Sequence, residues 1–81
     1  MTDEKIKYRP WVALMFYANE LTKEQFDYCV HRNTLTALLF CADKLTKEQF
    51  DYCVHENPWT ALRFHTDKLT TKQKQYCKEN T

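Results

Sequence analysis

Apolar residues recur in this chain with a helical spacing, and the segments that carry them recur at positions i and i+24. The stretch LTKEQFDYCVH occupies residues 21–31, returns unchanged at 45–55, and has a diverged copy that begins at Leu69. Within each unchanged stretch the Phe, Cys and Val stand at i, i+3 and i+4, which is the spacing of one helical stripe. A repeat of this length predicts a stack of helical units that bury their apolar faces against one another.

A second segment lies between the copies and follows the same period. PWVALMFYANE at residues 10–20 aligns with TLTALLFCADK at 34–44 and with PWTALRFHTDK at 58–68. We call this segment helix B and the LTKEQ segment helix A, so that each unit is an αα-hairpin. The predicted fold is a single all-α domain, a small solenoid with an N-terminal extension at residues 1–9 that we expect to fray, although its apolar residues could pack. Its three units are residues 10–33, 34–57 and 58–81.

Capping chemistry marks where the helices begin. Thr22 and Gln25 form a capping box at the start of helix A, and the same pair recurs in the other two units. Pro10 and Pro58 suit the first helical position of helix B, where no amide donor is lost. The Asn before helix B in units 2 and 3 is a candidate N-cap. Six helices are predicted, at about residues 10–19, 22–32, 34–43, 46–56, 58–67 and 70–79.

The third helix A differs from the others at two apolar positions. The Phe and Val of the first two copies are replaced by Lys74 and Lys78, whereas Tyr76 and Cys77 are retained. We interpret the Phe and Val as contacts with the following unit, and the Tyr and Cys as contacts within the unit or with the preceding one. The third unit is then a terminal capping repeat, and we expect the chain to be complete and not to polymerise through this end.

Composition narrows the classes of fold and function. The chain has 81 residues, is 43% hydrophobic and contains no glycine, so tight β-hairpins, a glycine-rich phosphate loop and a nucleophile elbow are disfavoured. No Ser/His/Asp or Cys/His constellation can be placed, and we expect neither enzyme activity nor a cofactor. The formal charge of +1 gives no general attraction to nucleic acid or membrane. Because neither a signal peptide nor a membrane-spanning apolar run is present, we expect a cytoplasmic protein.

The cysteines and histidines fit structural roles. Cys29, Cys53 and Cys77 are equivalent positions, which lie about 10 Å apart in a stack of packed helices and are therefore too distant for a disulfide. We expect small, buried, reduced thiols. His31 and His55 each follow a cysteine by two residues, a spacing that points the two side chains to different faces of the helix. No metal site is expected.

Comparison of the three B helices separates fixed positions from variable ones. An Ala-Leu pair and a following Phe are the same in all three units, and we assign them to the core. These are Ala13, Leu14 and Phe16, with Ala37, Leu38, Phe40 and Ala61, Leu62, Phe64. A variable stripe lies on the opposite side of the helix, and its residues are the candidate partner-binding residues. They are Trp11, Met15, Leu35, Leu39, Trp59 and Arg63.

Two interpretations of this stripe are open. It is a second packing contact, because apolar residues all round a helix usually mean burial, or an exposed row that binds another protein. Both can hold in part, with the Trp residues buried and Arg63 and Met15 exposed. Trp, Met and Arg are enriched at the centres of protein interfaces, which favours the second interpretation. Two copies of the chain could also bury the stripe against each other in a symmetric dimer.

Tandem units with the motifs LTKEQFDYCV and PWTALRF resemble the short helical-hairpin repeats of small proteins from phages and other mobile elements. The resemblance covers residues 10–81. Small phage proteins of this size are often inhibitors that bind a host defence complex, anti-CRISPR proteins among them. The resemblance therefore implies a stoichiometric inhibitor of a host complex such as a CRISPR effector, acting in the host cytosol.

A second hypothesis is nucleic-acid binding by the basic C-terminal end. From Asn57 onward five basic residues stand against two acidic ones. The candidate residues are Lys72, Lys74 and Lys78, together with Arg63. Phosphate contacts would make such binding depend steeply on salt concentration.

Overall fold

The computed structural model describes residues 2–81, and all of their regular secondary structure is helical, as the repeat pattern predicts. A one-turn 3-10 helix follows each B helix, at Ala18–Glu20, Ala42–Lys44 and Thr66–Lys68. The α-helices are α1 (Asp3–Tyr8), α2 (Pro10–Phe16), α3 (Lys23–Arg32), α4 (Thr34–Phe40), α5 (Lys47–Glu56), α6 (Pro58–Phe64) and α7 (Thr71–Glu79).

The helices form two layers of an elongated stack. Helices α1, α3, α5 and α7 pack side by side in an A layer, and α2, α4 and α6 pack side by side in a B layer. The described residues extend 39 Å along the stack and 18 and 17 Å across it. This shape is that of a small solenoid, in which each unit contacts its sequence neighbours.

The core between the layers is built mainly from small and β-branched side chains. The Ala of every B helix and the Cys of every full A helix are completely buried, and so are two Val residues of the A helices. These are Ala13, Ala37, Ala61, Cys29, Cys53, Cys77, Val30 and Val54. Such small side chains let these short helices approach one another closely. Because one hairpin alone hides little apolar area, each unit depends on its neighbours for stability.

All three predicted capping boxes are formed. Each Thr hydroxyl accepts from the backbone N–H of the Gln three residues later at 3.1 Å, and the Gln side-chain oxygen accepts from the Thr N–H at 2.9 to 3.0 Å. Two amide donors at the start of each A helix are thereby satisfied.

The prediction that Asn33 and Asn57 cap the B helices is wrong, because neither makes a side-chain cap bond there. Each of these residues also terminates the preceding A helix. Asn57 Nδ2 instead donates to the Cys53 carbonyl at 3.2 Å and to Thr34 Oγ1 at 2.7 Å. The amide therefore serves the end of α5 and ties it to the start of α4 in the same unit.

Residues 3–8 form helix α1, so the expected fraying of this segment is not observed. A shift by one repeat places it on the second half of α3, with Asp3 on Asp27 and Ile6 on Val30. Ile6 is buried, and Asp3 accepts from Gln25 Nε2 at 2.8 Å. Helix α1 is thus a truncated helix A that covers the first end of the core.

The B helices end earlier than predicted. Each is α-helical for seven residues, to Phe16, Phe40 or Phe64, and the chain then turns through its 3-10 helix. No residue between 2 and 81 has a positive φ. The stack therefore reverses direction without the left-handed conformation that glycine would favour, which suits a chain with no glycine.

Candidate protein-binding face

The predicted stripe on the B helices lies on the surface. Arg63 is exposed, and the apolar members are 40 to 58% exposed: Trp11, Met15, Leu35, Leu39 and Trp59. The interpretation of the stripe as a second packing contact is therefore wrong for the isolated chain, because no described element covers it.

The assignment of the three Phe residues of the B helices to the core is also wrong. Phe16, Phe40 and Phe64 are 70%, 59% and 55% exposed. The helical wheel places each Phe beside the buried Ala, but each is also the last residue of a helix only about 10 Å long. It therefore lies at the rim of the B layer, beyond the part that neighbouring helices cover. The sequence pattern gives the angle of each Phe around its helix but not its position along the helix axis.

The stripe and the three Phe residues form one surface, which we call the B face. In unit 3 the Arg63 guanidinium lies over the Trp59 ring at 5.3 Å and over the Phe64 ring at 5.6 Å, which joins the two rows. In units 1 and 2, Met15, Phe16 and Phe40 line one shallow groove. The B face therefore runs along all three units.

The size of the B face distinguishes it from ordinary surface. Eight large apolar side chains contribute to it, each exposed by about half. Since an aromatic side chain alone carries about 150–250 Å², the apolar area comes to roughly 1,000 Å². The largest apolar patch of a typical monomer is about 300–600 Å², whereas a standard protein interface covers about 800 Å² of each partner.

The opposite surface of the stack, which we call the A face, is made by the solvent sides of α3, α5 and α7. Here polar side chains bond from unit to unit: Gln49 Nε2 donates to Asp27 Oδ1 at 3.0 Å, and Gln73 Nε2 donates to Asp51 Oδ1 at 3.1 Å. These A-face side chains therefore have a structural role, because they join each unit to the next.

The two histidines of the A face also contact the following unit. His31 packs on the Tyr52 ring with centroids 4.6 Å apart, and His55 packs on the Tyr76 ring at 4.3 Å. Each His Nδ1 lies 2.8 Å from the carbonyl oxygen of the Asp four residues before it. These contacts agree with the interpretation that the Tyr of helix A packs against the preceding unit.

The thiols are enclosed rather than reactive. All four cysteines are buried and unbridged, and burial raises the pKa of the Cys29 and Cys53 thiols to about 11. A thiol needs its thiolate form to act as a nucleophile or metal ligand. The neighbouring His31 and His55 lie on the surface, so Cys and His do face different ways. Among residues 2–81 no three His, Cys, Asp or Glu side chains are grouped so that they could hold a metal ion.

The basic C-terminal residues do not form one cluster. Lys74 and Lys78 are one turn apart on α7 and share a side of it, whereas Lys72 lies about 200° round the helix from Lys74. Arg63 lies on the B face over its two aromatic neighbours. The structure therefore places two of the four predicted residues together.

No protein-family model, no curated protein and no solved structure matches this chain. The resemblance to helical-hairpin repeats of phage proteins therefore remains an expectation. Within residues 2–81, no helix combines the length and the apolar character that crossing a membrane requires.

Proposed function

We propose that this chain is a protein-binding helical-repeat module that engages its partner through the B face. The observation that supports this most strongly is the exposure of Phe16, Phe40 and Phe64 beside two Trp residues. The B helices have diverged at most other positions, yet this Phe is present in all three. A half-exposed Phe contributes only part of its apolar area to folding, so retention at three rim positions favours a role in binding.

Unit 3 offers the best anchor for a partner. Trp and Arg are the residue types most often found at energetic hot spots. Arg63 is held over Trp59 and Phe64 by cation–π contacts, so its guanidinium is oriented before binding. A carboxylate or carbonyl of the partner could accept from it while apolar side chains cover the two rings.

The narrower proposal is that the partner is a host defence complex and that binding inhibits it stoichiometrically in the cytoplasm. This narrower proposal is supported by the resemblance to the helical-hairpin repeats of phage proteins. A stack of this size would act by occupying a surface of its target. In the test, purified protein is added to a CRISPR effector: cleavage should be lost near one equivalent, and activity that survives a tenfold excess would refute the narrower proposal alone.

The general proposal is tested by photo-crosslinking. A benzophenone amino acid at Phe40 on the B face is compared with one at Lys47, which is exposed on α5. In an extract of cells that carry the gene, the probe at Phe40 should give one discrete heterologous adduct, and the probe at Lys47 should not. Trp11→Ala and Arg63→Glu should each reduce the adduct and leave helicity intact. Unchanged adduct yield in both variants would refute the B face as the binding site.

Nucleic-acid binding by the C-terminal end is a second candidate, favoured by the pairing of Lys74 and Lys78 on one side of α7. Two phosphate contacts would give a slope of about −2 in log affinity against log salt. Fluorescence anisotropy with a labelled duplex measures this slope. A flat response between low and moderate salt would eliminate the candidate.

A further inference from the structure

A groove lies at the N-terminal end of the stack, between α1 and α2 and away from the B face. Its walls include Lys5, Tyr8, Val12, Tyr17 and Glu20. The groove is open to solvent along one side and has a volume of about 1030 Å³. The lining is mixed, with aromatic and aliphatic surface between charged side chains.

The repeat register identifies what this groove is. A shift by one repeat carries α1 and α2 onto α3 and α4, and α2 packs against both of these helices. The groove beside α1 and α2 therefore corresponds to the groove beside α3 and α4. Helix α2 fills the second groove, whereas no described residue fills the first. Cys29 and Cys41, the equivalents of Lys5 and Tyr17, are buried beneath α2.

The interior units show how a helix is held in such a place. Cys41 Sγ donates to the Leu14 carbonyl at 3.3 Å, and His65 Nε2 lies 2.7 Å from the Leu38 carbonyl oxygen. Both leucines are the fifth residue of their helix and are fully buried, whereas the equivalent Leu62 is only half-buried. The leucine at this position therefore inserts toward the following unit. In the groove, Tyr17 stands where Cys41 and His65 stand and carries a hydroxyl donor.

A charged contact completes each interior site. Lys44 Nζ donates to Asn19 Oδ1, and Lys68 Nζ pairs with the Asp43 carboxylate. The corresponding residue at the groove is Glu20, whose charge is opposite. Counted from the first residue of α2 and of α4, the tenth residue is Asn19 or Asp43, which lies just beyond the helix. A segment bound in the groove would therefore carry a basic side chain at this tenth position, where it would face Glu20.

Helix α1 restricts the occupant to one helix. It already fills the A-layer place next to α3. A complete hairpin, such as unit 3 of a second copy, would bring its own helix A into that place and collide with α1. A single helix as short as the B helices fits beside α2.

We propose that this groove binds one short helix of a partner protein and thereby extends the B layer by one element. The chemistry of that helix is defined by its neighbours: an apolar face, a leucine at the fifth position and Lys or Arg at the tenth. Its terminal carbonyls accept from the Tyr17 hydroxyl, as those of α2 and α4 accept from Cys41 and His65. This site is independent of the B face and of the function proposed for it.

The test uses the full chain and a synthetic peptide of residues 58–68, PWTALRFHTDK, with Asp67→Lys. The matched control peptide keeps Asp67, and a third carries Leu62→Asp. NMR titration should shift the Val12 methyls and the Tyr17 ring saturably, with the Lys peptide binding about two- to fivefold tighter than the Asp peptide. Glu20→Lys in the protein should reverse this order, and the Leu62→Asp peptide should not bind.

Joining the helix covalently to the protein avoids the weak binding expected of a short free peptide. Residues 34–50 carrying Asp43→Lys are joined ahead of Asp3, since Asp51 and Asp3 are equivalent positions. The tethered helix should change the same Val12 and Tyr17 signals, more completely than its Asp43 counterpart does. The proposal is overturned if peptide shifts are confined to the B face, if Glu20→Lys leaves the order of affinities unchanged, or if neither peptide nor tether affects Val12 and Tyr17.

Discussion

The A face and the B face belong to the same repeat, yet they use their side chains in opposite ways. On the A face, Gln49, Gln73 and the two histidines connect one unit to the next. On the B face the large apolar side chains are 40 to 70% exposed, and Arg63 is the single charged member. The comparison separates residues that build the stack from residues that the stack displays.

This difference shows where the stability of the stack originates. The stack is held together by the buried Ala, Cys and Val residues between the layers, and by A helices that are capped and hydrogen-bonded to one another. The Trp and Phe residues of the B face add area without closing the core. A change in the core or on the A face should therefore lower the stability of the fold, whereas a change on the B face should weaken partner binding.

The largest expected effect comes from breaking the A layer from within. Val54 is completely buried, so Val54→Lys places a charge in the core and should cost about 3–5 kcal/mol of unfolding free energy. The matched control is Lys78→Val at the equivalent exposed position, which should change stability by less than about 0.5 kcal/mol. Chemical denaturation measures both, and equal losses would contradict the assignment of Val54 to the inter-unit core.

Removing the Trp anchors of the B face should reduce partner binding strongly and stability only moderately. The double change Trp11→Ala and Trp59→Ala should lower crosslinking to the partner at least about tenfold, because such anchors are each worth about 2 kcal/mol. Its unfolding free energy should fall by less than the loss caused by Val54→Lys, since both rings are about half exposed. Loss of stability without loss of binding would reverse the roles assigned to the two faces.

A smaller effect is expected from the polar ladder of the A face, which is the pair of Gln–Asp hydrogen bonds that join one A helix to the next. Gln49→Ala removes the side-chain bond of the α5 capping box to the Thr46 N–H and the bond to Asp27, and should cost about 1–2 kcal/mol. Gln75→Ala is the control, because Gln75 bonds only to Glu79 within its own helix. Thermal unfolding of the two variants compares them directly, and similar shifts in Tm would count against the ladder.

The smallest effect concerns the contact between Asp43 and Lys68. The hydrogen bond and charge of Lys68 hold the pKa of Asp43 below its ordinary value of 3.8. Because the pKa is lowered on folding, the contact stabilises above the ordinary value and is lost as the pH falls through the lowered one. NMR titration of the Asp43 carboxyl should show this shift, and Lys68→Ala should return the midpoint toward the ordinary value. An Asp43 midpoint that is the same in both proteins would refute the contact.

Much of the fold was predictable because its signals are local. The Thr22 and Gln25 capping box fixes where helix A begins, and the constant repeat period fixes which segments are equivalent. The burial of Cys29 and Val30 follows from their helical spacing. Helix α1 was missed although a signal existed, since Asp3 and Ile6 stand one repeat before Asp27 and Val30.

The candidate sites were only partly predictable, for a geometric reason. The wheel angle identified Trp11 and Met15 as a stripe, but their exposure depends on which helices lie nearby. The same wheel misplaced Phe16, because an angle does not say that a helix ends. The N-terminal groove becomes visible only when α1 and α2 are placed beside the interior units in three dimensions.

In the isolated chain the B face is uncovered, and we propose that it is available to a different protein. Light scattering over a wide range of concentrations shows whether two copies of the chain cover it instead. We expect a constant mass of 9.8 kDa, the mass of a single chain. A dimer that forms with concentration and is abolished by Leu39→Glu would contradict it, because the B face would then be the interface between two copies.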